Sequence, residues 1–79
     1  MLIIKVGDRA KVAVRVQEVL TQYGCNIRTR LGLHEFHTEC EDRDEGLIIL
    51  EVIGEAQEIE KLKGALEAIE SVKAVSVEL

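Results

Sequence analysis

Val6-Gly7-Asp8-Arg9-Ala10-Lys11-Val12-Ala13-Val14-Arg15-Val16-Gln17-Glu18-Val19-Leu20-Thr21-Gln22-Tyr23-Gly24-Cys25-Asn26-Ile27 reads as the end of a strand, a tight turn, one amphipathic helix, a glycine stop and the start of a second strand. Val12, Val16, Val19, Leu20 and Tyr23 recur at helical spacing and form one apolar stripe, with Lys11, Arg15, Gln17, Glu18 and Gln22 on the remaining surface. Asp8 is placed to cap the first turn, and Gly24 to end the helix in a left-handed conformation.

Outward from this unit, Leu2 to Val6 is a short apolar run bounded by Gly7, the pattern of a buried central strand. Asn26 to His34 alternates, with Ile27, Thr29, Leu31 and Leu33 on one side and Arg28, Arg30, Gly32 and His34 on the other, so it reads as a half-buried edge strand. Residues 36–45 are polar and acidic and read as a connecting loop. Leu47 to Ile53, apolar except for Glu51, predicts a second central strand ending at Gly54. Ile59, Leu62, Leu66 and Ile69 then mark a helix within Glu55 to Ser71, and Val72 to Leu79 alternates as a last strand with Val75, Val77 and Leu79 facing inward.

The order β-α-β-β-α-β, with right-handed crossovers, predicts an α+β ferredoxin-like sandwich in one domain: a four-stranded antiparallel sheet, spatial order 4-1-3-2, with two helices on one face. Parity then sends Leu2, Ile4, Val6, Ile48, Leu50 and Val52 toward the helices. Ile3, Leu47, Ile49 and Ile53 look away from them, joined by Ala74 from the last strand. An aliphatic patch of that kind predicts an oligomer interface, most simply a homodimer.

Composition narrows the function classes. The net charge is −5 and unevenly spread: Lys5, Arg9, Lys11, Arg15, Arg28 and Arg30 face only Asp8 and Glu18 in residues 1–30, whereas Arg43 is the lone base of residues 31–60. So acidic a balance, with one Phe, one Tyr and no Trp, argues against nucleic acid as a partner. An RNA-recognition domain of this architecture needs aromatic residues where Ile3, Lys5, Leu47 and Ile49 stand, and a metallochaperone needs a Cys-x-x-Cys where Gly7-Asp8-Arg9-Ala10 stands. There is no leader-like or bilayer-length apolar run, so a cytoplasmic protein with Cys25 and Cys40 as thiols is expected, Cys25 as a small buried one. No nucleophile–base set or phosphate-cradling glycine loop is legible, which predicts a non-enzyme without a cofactor.

Two clusters carry binding chemistry. His34, His37 and Cys40 combine two imidazoles and a thiol suited to Zn²⁺ or Ni²⁺; the competing reading is a solvated acidic loop, because an extended chain spreads them over about 20 Å. Lys5, Arg28, Arg30 and Gly32 are the residues for a small-anion or ligand site on the open sheet face. If Gly32 pairs with Ile49, Arg30 instead falls opposite Glu51 as a cross-strand ion pair.

Nearly the whole chain resembles the ACT-like regulatory domains. The resemblance is carried by Val6-Gly7-Asp8, the Val12 to Leu20 helix, Gly24-Cys25-Asn26-Ile27 and the Ile59, Leu62, Leu66, Ile69, Val72, Val75, Val77 spacing. Within that superfamily, Arg30-Leu31-Gly32-Leu33, a charged loop and Gly46-Leu47-Ile48-Ile49-Leu50 look most like the small stand-alone proteins assigned as regulators of the iron-only hydrogenase system. The resemblance implies an oligomeric sensor or regulatory module, with a ligand or a protein partner in a redox system. Many amino-acid-binding ACT domains have Pro-Gly entering the first helix; Ala10-Lys11 stands there, which argues against a free amino acid as ligand. The alternative implied by the residues alone is a structural protein–protein interaction module, or a metal-responsive protein using the His34/His37/Cys40 loop.

Overall fold

A computed structural model describes residues 1–34 and 45–78. The elements are β1 (Leu2–Val6), α1 (Arg9–Gln22), β2 (Ile27–His34), β3 (Gly46–Val52), α2 (Ala56–Glu67) and β4 (Val72–Ser76), with a short 3-10 turn at Gly24–Asn26 before β2. All strand pairs are antiparallel, and the sheet runs β2-β3-β1-β4. This is the ferredoxin-like βαββαβ sandwich, and its two most apolar strands lie in the centre.

The core follows from the two periodicities. Leu2, Ile4, Val6 and Leu50 project from the central strands onto Val12, Val16 and Leu20 of α1 and Leu62 and Leu66 of α2, all buried. Ile48 and Val52 pack partly buried against the same cluster. Each buried aliphatic side chain contributes about 1.5–3 kcal/mol.

Helix termini differ from the sequence-based expectation. Asp8 makes no side-chain cap; it takes φ 46°, a left-handed conformation that Asp tolerates, and its carbonyl accepts from the Lys11 and Val12 N–H groups at 2.8 and 3.1 Å. Gly24 is not left-handed either, because α1 tightens into the 3-10 turn, where Asn26 N–H donates to the Tyr23 carbonyl at 2.9 Å. At α2, Glu55 and Glu58 form a capping box, with Glu55 N–H donating to Glu58 Oε1 at 3.2 Å. The glycine with a positive φ is Gly54, at 119°.

Two strand assignments are corrected. In β4 it is Val72 and Ala74 that are buried, while Val75 is 58% exposed. Ala74 pairs with Ile4, and directly paired residues share a face, so Ala74 belongs to the core and Val75, opposite Ile3, belongs to the open side. In β2 the ladder slips at Arg28, between the Ile27–Val52 and Thr29–Glu51 pairs. That bulge sends Ile27 inward and Thr29, Leu31 and Leu33 outward, separating residues that simple alternation places together.

Candidate functional site

The helix-free face of the sheet is organised in rungs. Leu31, Ile49, Ile3 and Val75 pair in succession across all four strands, and Leu33, Leu47, Lys5 and Lys73 form the next rung. Leu31 and Leu33 are 51% and 47% exposed, and Ile3, Leu47 and Ile49 are half-buried by their neighbours. Of the expected interface set, Ile3, Leu47 and Ile49 lie together here, and exposed Ile53 follows the end of β3. Ala74 does not; Val75, Leu31 and Leu33 complete the patch. The β2 bulge, invisible to strict period-2 counting, is the reason the last two were missed.

The expected anion set divides between the two faces. Lys5 lies on the open side, where its Nζ is 3.9 Å from Glu45 Oε2. Arg30 pairs with Leu50 and Gly32 with Ile48, residues of the helix-side face, so Arg30 is not opposite Glu51. Thr29 is, and its hydroxyl donates to Glu51 Oε1 at 2.7 Å. Arg28 is the residue at the bulge and is exposed.

Arg30 and Gly32 line a cleft of about 200 Å³ between β2 and α1, with Ala13 and Gln17 on the helix wall and Val16 and Ile48 beneath. The Arg30 guanidinium spans it, Nη2 donating to Gln17 Oε1. Gly32 has no side chain to fill the space, and nothing within 4 Å would obstruct a Cβ there. The cleft therefore offers a guanidinium fork, a side-chain amide and an apolar floor, a combination suited to a small oxyanion such as a carboxylate or phosphate.

The metal candidates fall largely outside the description: His37 and Cys40 lie beyond the described residues, and His34 closes β2 opposite Gly46. Among the described residues no three His, Cys, Asp or Glu side chains gather as a metal set. Cys25, expected to be buried, is an exposed free thiol within the 3-10 turn, none of whose residues is buried. Among the described residues no helix is long and apolar enough to cross a membrane.

No family model matches the chain, and no curated protein matches it. One solved structure is similar over nearly the full length: an uncharacterized protein, TM1266 from Thermotoga maritima, 28% identical, with 99% of this chain and 91% of that chain covered and a TM-score of 0.83. The likeness supports the architecture and names no activity.

Proposed function

We propose that the chain is a small, non-catalytic regulatory or sensor module that assembles as a homo-oligomer through its open sheet face and answers to a ligand or partner. The observation that carries this reading is the unbroken Leu31–Ile49–Ile3–Val75 rung, an aliphatic row spanning the sheet on the side that no helix covers. A monomer leaving that row in water forgoes several kcal/mol of burial, at about 1.5–3 kcal/mol per side chain before the entropic cost of association.

The Arg30 cleft supplies a place for a small anion, and its walls come from both α1 and β2, so occupancy can bias how these two elements sit. The resemblance to the ACT-like regulators of the iron-only hydrogenase system supports the regulatory class and, within it, a protein partner in a redox system. Native mass spectrometry of protein purified without chelators tests the reading, since oligomer and adduct are recorded together. A dimer or larger assembly with a small-molecule adduct lost in Arg30→Ala supports it. A bare monomer at high micromolar concentration overturns it.

A further inference from the structure

Charge on the open face is laid out along a diagonal. Beside the apolar rung, Lys5 and Lys73 are directly paired on β1 and β4, which makes one corner basic. The opposite corner, on the other side of the rung, holds the Thr29–Glu51 pair on β2 and β3. The remaining corners carry apolar side chains: Leu33 with Leu47 at one, and Met1 with Val77 at the other, where Val77 N–H donates to the Met1 carbonyl at 2.8 Å and the Met1 α-ammonium donates to the Val77 carbonyl at 2.9 Å. An apolar band thus runs from Leu33 through Ile49 and Ile3 to Val77, flanked by one basic and one acidic corner.

Like charges directly opposite on neighbouring strands are unfavourable, so the lysine pair calls for compensation. Lys5 has Glu45 at 3.9 Å; Lys73 makes no ion pair among the described residues. Glu51, on the opposite corner, has only the neutral Thr29 hydroxyl as a hydrogen-bond partner among those residues.

Resting on the assembly reading above, we infer that a second copy of this chain covers the face about a twofold axis lying along the apolar band, so that Lys5 and Lys73 meet the partner's Glu51 and the two sheets cross nearly at right angles. The alternatives fail on charge. A twofold parallel to the strands sets Lys5 and Lys73 on the Leu33–Leu47 corner, desolvating charge against apolar side chains, and one perpendicular to the strands sets them on Met1 and Val77, where they meet the partner's N-terminal ammonium. The diagonal axis sets apolar side chains on apolar side chains and basic on acidic twice over, and leaves each N-terminal ammonium on its own Val77 carbonyl at the end of the band. With strands ~4.8 Å apart, a rise of ~3.3 Å per residue and ~10 Å between stacked sheets, the corners coincide within the reach of a lysine side chain. Near-orthogonal crossing is one of the two ordinary ways in which sheets pack.

The test is a charge swap read by sedimentation velocity, with wild-type protein measured first. Glu51→Lys alone, and Lys5→Glu with Lys73→Glu alone, each set like charges together and are expected to weaken self-association by roughly tenfold. Mixed in equal amounts they restore every pair, and a heterodimer as tight as wild type is expected. Glu60→Lys mixed with Lys11→Glu/Lys61→Glu carries the same charge change on exposed helix positions and is expected to gain nothing. Variants that dimerise like wild type, a mixture no tighter than its components, or a control mixture that tightens equally would each overturn the diagonal arrangement. A monomeric wild type instead removes the assembly reading itself. Should circular dichroism show a reversal variant unfolded, Glu51→Gln and Lys73→Gln replace it; each is expected to weaken the dimer about two- to fivefold and flatten its salt dependence, and no change overturns the proposal.

Discussion

Ile3 and Ile49 stand directly opposite each other on the two central strands, on the side of the sheet that carries no helix. Their backbones anchor the fold, while their side chains are shielded chiefly by Leu31 and Val75 at the two ends of the same rung. Replacing Ile49 with Asp leaves the helix-side core untouched and places a charge in the middle of the proposed contact. Analytical ultracentrifugation is expected to show monomer, or circular dichroism to show a chain that no longer folds. A variant that still assembles like wild type removes the open face as the contact.

Neighbours in β4 separate folding from assembly. Ala74 is 5% exposed and Val75 is 58% exposed, although one peptide bond joins them. Ala74→Asp forces an unpaired carboxylate into the core and is expected to lower stability by about 3 kcal/mol or more. Val75→Asp should stay within about 1 kcal/mol in urea unfolding at dilute concentration, yet weaken association. The reverse order would restore the strand parity predicted from alternation alone.

Gly54 is held by geometry that other residues resist. Its φ is 119°, and a Cβ there would lie 2.6 Å from Asn26 Nδ2. That amide donates to the Ile53 carbonyl at 3.1 Å, while Ile53 N–H donates to the Asn26 carbonyl at 2.9 Å, clamping the 3-10 turn to the end of β3. Gly54→Ala is expected to destabilise by about 2–4 kcal/mol from strain and the broken clamp, and Asn26→Ala by about 1 kcal/mol, both read from urea midpoints. Equal midpoints for Gly54→Ala and wild type would refute the account.

Leu62 is fully buried where α2 meets the sheet, and Glu55 only begins that helix. Leu62→Ala should therefore cost about 2–5 kcal/mol as a cavity, against about 1 kcal/mol for Glu55→Ala through the lost cap. Thermal unfolding ranks the two.

Arg30 is exposed, and its described side-chain hydrogen bond goes to Gln17 across the cleft. Arg30→Ala is expected to change stability by less than about 0.5 kcal/mol while abolishing any binding of phosphate or a small carboxylate seen by calorimetry with wild-type protein. Binding that survives the substitution places the anion elsewhere.

Element order, the central position of β1 and β3, and the inward faces of those strands were legible in the amino-acid sequence, because apolar spacing of 3.6 or 2 is a local property that burial alone imposes. So was the presence of an aliphatic open face, through Ile3, Leu47 and Ile49. What tertiary structure decided was parity at the edges. Val72 to Leu79 carries small or apolar residues at Ala74, Val75 and Val77, and only pairing with β1 settles that Ala74, opposite Ile4, is the buried one. Likewise the bulge at Arg28 reverses every side chain that follows it, sending Leu31 and Leu33 to the open face and Arg30 toward α1. Register is a long-range choice, made when whole strands meet. A period-2 pattern with mixed residues on both sides is compatible with either face until that meeting occurs.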